Sequence, residues 1–226
     1  MARPAMVPAA VLVEDLDFYP RAAVDATHVT DIARALAAGI ELPPVIADRA
    51  SRRLVDGFHR RRAVLKHNGP DSEIAVFWRD YESDADMYAE AVQLNSGHGR
   101  KFSSYDRVRI TIRAAELGLT NAQVAVLLHY PEEVVERLAV QVAHSETGAT
   151  IALKRPVRHL AGLVLNAQQE TVNRRSSGWS VGYHANQIVD HIEAGTVEIT
   201  PDLAVTLIRL RDTLIGLALE LPVQED

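Results

Sequence analysis

The chain changes character at Ser83. Ahead of it, short apolar and β-branched runs ("AVLVEDL", "PPVIAD", "RLVDG" and "EIAVFW") are interleaved with stretches of helical periodicity. From Ser83 onward apolar residues recur at three- and four-residue spacing. A chain that gathers its strands at one end and its helices at the other has an α+β architecture. The first third is therefore read as a compact sheet with helices, and the remainder as helical.

Local punctuation supports this division. Thr27 is the expected N-cap of a helix with Val29, Ile32, Ala33 and Leu36 on one face and Gly39 as its stop. "HRRRAVLKHNG" is a second helix, closed by Asn68 and Gly69. A third starts at Ser83 and is expected to break at "NSGHG", leaving a loop that carries Asn95, His98, Gly99, Arg100 and Lys101. Three short helices follow. Gly118 fits the C′ position of the first, Thr120 and Gln123 form a capping box for the second, and Pro131 fits position N1 of the third. Further on, Pro156 is expected to open a helix toward Arg175, "RSSGWSVG" is a break, "YHANQIVDHIEAG" is amphipathic, and Pro201 starts a last helix through Leu221. Its stripe of Leu203, Leu207, Leu210, Leu214 and Leu217 suits a core or a dimer seam.

Composition narrows the chemistry. The 226 residues contain no cysteine, which excludes disulfides, thiolate zinc sites and a cysteine nucleophile. No apolar run approaches the roughly 20 residues of a membrane helix, and "MARPAMVPAA" lacks the pattern of a signal peptide. A cytoplasmic protein is expected. The net charge of -6 argues against coating nucleic acid by bulk charge, so local clusters of arginine must decide. Histidines at 59, 98, 129, 144, 159, 184 and 191 show no H-x-x-x-H spacing, and no metal site is expected.

The most informative stretch is "VDGFHRRRAV", Val55 to Val64. A turn that leaves a strand and opens a helix presents unpaired N–H groups and the positive end of the helix dipole, so anions bind there. Gly57 permits close approach of a phosphate, His59 and Arg60 are donors within reach, and Arg61 and Arg62 point elsewhere by helical spacing. The alternative is a network in which Asp56 pairs with the arginines. A second glycine loop, "NSGHGRK", repeats the chemistry with Asn95, His98, Gly99 and Arg100, and together the two suggest a nucleotide pocket.

The stretches "LPPVIADRASRRLVDGFHRRRAV", "IAVFW" and "AVQLNSGHGRKFSSYDR" resemble the N-terminal domain of the ParB/sulfiredoxin superfamily, and most closely its branch of streptomycin-pathway regulators, over roughly residues 11–143. The resemblance implies that Gly57, His59, Arg60 and Arg61 bind nucleotide phosphates, with Asn95 in a second box. It also implies a nucleoside triphosphate, CTP above all, with magnesium. The chain departs from the partition proteins, which carry G-E-R-R where Gly57-Phe58-His59-Arg60 stands and an arginine where His98 aligns. Sulfiredoxin activity is excluded by the missing cysteine.

Beyond the pocket, "SSYDRVRITIRAAELGLTNAQVAVLLHYPEEVVERLAV" resembles the helix-turn-helix of the same family. Its second helix carries Glu132, Glu133 and Glu136, with Arg137 and Gln141 as donors for DNA. Arg107, Arg109 and Arg113, or Arg174 and Arg175, are the other candidates. The expected organisation is thus a ParB/sulfiredoxin-like α+β nucleotide-binding domain over 1–101, an all-α helix-turn-helix-like domain over 102–146, and a helical C-terminal module over 147–226 that dimerises. The expected function is nucleotide-modulated binding of double-stranded DNA in transcription regulation or DNA partition. Alternatives are an enzyme using the same pocket, either a small-molecule kinase with Asp56 as base or a CTP hydrolase, and a non-catalytic adaptor.

Overall fold

A computed structural model describes residues 3–97, 101–176 and 181–216. The chain divides into two compact units, residues 1–178 and 179–226. The boundaries expected near 101 and 146 both fall inside the first.

Four strands, β1 (Ala5–Pro8), β2 (Val45–Asp48), β3 (Leu54–Asp56) and β4 (Glu73–Arg79), form one sheet in the order β1-β4-β2-β3. β4 runs parallel to β2 and antiparallel to β1, and β2 pairs antiparallel with β3. Strand alternation sorts the side chains between two cores. Val45, Ala47 and Leu54 join Phe58, Val64 and Val76 on one face, while Ile46 and Val55 turn to the other, toward Met87, Tyr88, Ile110 and Val135. The strand expected over "AVLVEDL" lies upstream instead. Pro8 has no N–H and φ of -57°, so β1 ends there; a 3-10 turn covers Ala9–Val11, and Val13 keeps only an isolated bridge to Arg53.

The first face is covered by α1 (Ala26–Ala37) and α2 (Phe58–Asn68). Asp25, not Thr27, caps α1: its carboxylate accepts from the N–H groups of Thr27 and His28, and a charged acceptor wins over a hydroxyl here. The second face carries α3 (Asp84–Gly97), α4 (Ser104–Glu116), α5 (Asn121–Leu128) and α6 (Glu132–Ala139). Thr120 and Gln123 form the expected capping box. Gly118, with φ of 84°, closes α4 in a Schellman motif completed by the bond from Leu119 N–H to the Ala114 carbonyl. Pro131 is the N-cap of α6 rather than N1.

The expectation of an all-α region followed by a helical module fails after α6. β5 (Val142–Ser145), β6 (Thr150–Ala152) and β7 (Val164–Leu165) form a second sheet in the order β6-β5-β7. Val140, Val142 and His144 alternate with Gln141, Ala143 and Ser145, a period of two short enough to be mistaken for the tail of a helix. Pro156 sits in a 3-10 turn, Arg155–Leu160, and α7 (Ala167–Arg175) begins only where Asn166 and Gln169 form their own capping box. The second unit contains α8 (Val181–Glu193) and α9 (Pro201–Gly216). Along the leucine stripe Leu203 and Leu207 are half-buried and Leu210 and Leu214 exposed, while Leu217 lies outside the described residues.

Candidate functional site

β3 delivers the chain into α2 through Gly57, which takes the left-handed conformation with φ of 102°. A Cβ here would lie 2.4 Å from Val45 Cγ1, so close packing on β2 requires glycine independently of any ligand. With no side chain at the N-cap, the first turn of α2 has no side-chain cap, which leaves its amides as donors.

The three arginines that follow are committed to their own chain. Arg60 donates through Nη1 to the carbonyls of Pro43 at 2.9 Å and Pro44 at 2.7 Å, and through Nη2 to Asp56 Oδ2 at 2.5 Å. Arg61 donates to the Ala9 carbonyl at 2.9 Å and to Glu14 Oε2 at 3.1 Å, and Arg62 Nε to Glu14 Oε1 at 2.7 Å. The internal network weighed from the sequence is present, with Glu14 as the partner that sequence reasoning missed. Its signal was weak, because Glu14 lies 47 residues from Arg61. Asp56, the candidate base of an enzyme, is held by Arg60.

His59 accepts the Asp25 N–H at its Nε2, 3.0 Å away, and its ring lies 4.9 Å from that of His28. Burial, helped by His28, pushes its pKa down to about 4, so at neutral pH the ring is uncharged and its Nε2 lone pair is used. Tyr19 stacks on Phe58 with centroids 4.5 Å apart, and burial raises its phenol to about 12.

Asn95 lies in the last turn of α3, not in a loop. Its Nδ2 donates to the Ala91 carbonyl at 2.9 Å and Ser96 Oγ to that of Gln93, so both side chains bond back within α3, which runs past the expected break to Gly97. The Asn95 carbonyl accepts from Arg21 Nη2 at 3.3 Å. His98, Gly99 and Arg100 lie outside the described residues. The segment ahead of α1 joins these parts: the Arg21 carbonyl accepts from Arg109 Nη1 at 2.7 Å, and the Ala22 N–H donates to Asp106 Oδ1 at 2.7 Å.

The second candidate surface is the pair α5 and α6, joined by His129–Pro131, with His129 left-handed at φ of 57°. Val124, Ala125 and Leu128 of α5 and Val135 and Leu138 of α6 are buried, while Glu132, Glu133, Glu136 and Arg137 are exposed. Gln141 donates to the Arg137 carbonyl at 3.1 Å. Of the α4 arginines, Arg107 reaches the turn, donating to Tyr130 Oη at 2.6 Å with its guanidinium 5.2 Å from that ring. Arg109 and Arg113 turn inward; Arg113 lies 5.4 Å from the Phe18 ring centroid and pairs with Glu116 at 3.0 Å. Arg174 and Arg175 are exposed at the end of α7. Among the described residues there is no cluster of His, Asp or Glu suited to a metal ion, and no helix is long and apolar enough to cross a membrane.

No protein-family profile matches the chain. Over 59 residues it is 42% identical to the transcriptional regulator NovG of Streptomyces niveus, a match that covers 26% of this chain and 18% of that protein. Among solved structures, the chain is similar to ParB. The C-terminally truncated chromosome-partitioning protein ParB from Caulobacter crescentus, complexed to the centromeric parS site, aligns at 14% identity and TM-score 0.45, covering 89% of this chain and 97% of that one. The same protein complexed with CTP-gamma-S aligns at 14% identity and TM-score 0.37, covering 61% of this chain and 77% of that one. A pNOB8-like ParB N-domain aligns at 19% identity and TM-score 0.41, covering 66% and 56%.

Proposed function

We propose that this protein is a cytoplasmic ParB-like DNA-binding protein, acting in transcription regulation or DNA partition, that contacts double-stranded DNA through α5 and α6. The carrying observation is the construction of that pair: each helix has its own cap residue, a three-residue turn joins them, and burial is confined to one side, which leaves the outer face of α6 free for a groove. The local match to a transcriptional regulator supports the same reading. Glu132 and Glu133 in the first turn of α6 repel phosphate, so the contact is made from the other end, with Arg137 and Gln141, and from the turn, with Arg107.

Nucleotide modulation is the finer part of the proposal. Its support is the uncapped first turn of α2 behind Gly57, a ready anion site, together with the motif resemblance to CTP-binding relatives. A triphosphate with magnesium would displace Asp56 as the partner of Arg60. Dimerisation belongs to the second unit, where Ile188, Ile192, Val205, Ile208, Leu210 and Leu214 are exposed, more apolar surface than a lone helical pair holds comfortably in water.

The test is fluorescence anisotropy on duplexes selected from a random library, across 50 to 200 mM salt as an order-of-magnitude range. Binding that weakens with salt, and weakens further in Arg107→Ala and Arg137→Ala, is the expected result. No retention of any duplex at the lowest salt overturns the reading. Calorimetric titration with CTP and magnesium addresses the pocket separately: Asp56→Asn frees Arg60 and should tighten binding, whereas an enzyme that uses Asp56 as base would lose turnover.

A further inference from the structure

A polar cleft of ≈ 360 Å³ opens along α4, lined by Asp17, Tyr88, Tyr105, Arg109, Arg113 and Glu116 with Thr150, Ile151 and Ala152 of β6. We propose that it is a binding site for a small organic monocarboxylate with an aromatic or apolar body. The proposal stands independently of the DNA and nucleotide readings.

The cleft holds donors that its own chain does not use. Arg109 gives one nitrogen to the Arg21 carbonyl and has no carboxylate partner among the described residues. Its charge is therefore satisfied by a neutral acceptor only, which leaves the rest of the guanidinium fork for an anion. Arg113 spends Nη1 on Glu116, but its Nε is buried with no hydrogen-bond partner. Buried polar atoms in that condition are uncommon and mark a place where a missing partner belongs.

The phenols add to this. Tyr88 is 2% exposed and makes no hydrogen bond among the described residues, and the charged groups acting on its hydroxyl are Arg109, Arg113 and Glu116, all of them cleft residues. Burial raises the phenols of Tyr88 and Tyr105, so both remain protonated and act as donors at neutral pH. Two phenols and two guanidinium groups converging on one space form a set of donors that awaits an acceptor.

The class of acceptor follows from the rim. Asp17 is exposed at the mouth and Glu116 already neutralises Arg113, so a polyanion such as a triphosphate meets two carboxylates and a single uncompensated arginine. One carboxylate matches Arg109 charge for charge. The remaining walls are the Tyr88 and Tyr105 rings with Ile112, Ile151 and Ala152, which suit a flat apolar body, and the volume fits a compact molecule.

The experiment is ligand-observed NMR on the full chain with 4-hydroxybenzoate and phenylacetate as probes and benzamide and inorganic phosphate as controls. Saturable binding of the carboxylates is expected, with benzamide and phosphate at least about tenfold weaker. Tyr88→Phe, which keeps the ring in the core, and Arg109→Gln should each weaken the carboxylates by about tenfold or more. Thr150→Tyr, on the exposed edge of β6, fills the mouth without touching the core and should abolish binding. Equal binding of benzamide, no binding of any carboxylate, or binding unchanged in Thr150→Tyr with the chain folded overturns the proposal.

Discussion

The first turn of α2 and the inner face of α4 both carry arginines into the interior of the same unit, and they use them in opposite ways. At α2 each guanidinium is paired with a carboxylate: Arg60 with Asp56, beside two carbonyls, and Arg61 and Arg62 with Glu14. At α4 Arg109 holds one carbonyl and Arg113 leaves Nε unsatisfied. The more conspicuous motif is thus the one whose arginines are engaged within the chain, and the less conspicuous helix keeps spare bonding capacity. A run of basic residues signals chemistry only after its internal partners have been subtracted.

This contrast is open to direct attack. The largest effect is expected at Gly57→Ala, where a Cβ would meet Val45 Cγ1 at 2.4 Å with φ at 102°; urea unfolding should show a loss of about 3 kcal/mol or more. Next, Glu14→Gln strips charge from the partner of Arg61 and Arg62, whose acidic side chain is 14% exposed, and should cost about 2 kcal/mol in the same assay. A loss below about 0.5 kcal/mol would break the claim that the α2 arginines are structural.

A smaller effect comes from His59. Its folded pKa, about 4, lies below its ordinary 6.5, so the unfolded chain takes up the proton first as pH falls. The contribution is complete above about pH 6.5 and is lost progressively down to about 4, worth about 1–2 kcal/mol after allowance for a half-buried ring. Thermal melts of wild type and His59→Gln across that range should converge toward the acid end. Smallest of all, Arg107→Ala should change stability by about 0.5 kcal/mol or less, because the contact with Tyr130 is partly exposed; a larger loss would erase the distinction between the two regions.

Part of the first sheet and of the helices packed on it could be read from the sequence because the signals are local: a β-branched run into Gly57, a glycine stop at Gly118, a capping box at Thr120. What escaped was long-range or ambiguous in period. Glu14 as partner of Arg61 depends on the fold bringing distant segments together, and no spacing rule reports it. The β5–β7 sheet was hidden because its strands are only two to four residues long, too short to separate a period of two from a helical one. Asn95 was misplaced because Ser and Asn next to Gly mark a turn by composition, while their side chains here bond back to carbonyls of α3.

The segment ahead of α1 is fastened to two helices by its backbone: the Arg21 carbonyl to Arg109 and the Ala22 N–H to Asp106, both on α4, and the Asp25 N–H to His59 on α2. Main-chain groups are the same whatever side chain they carry, so this stretch can drift in identity at Ala22 or Ala23 with little penalty. It cannot drift in length. One inserted residue between Arg21 and Asp25 would pull at least one fastening out of register, so diversification here should proceed by exchange of residues and not by insertion or deletion.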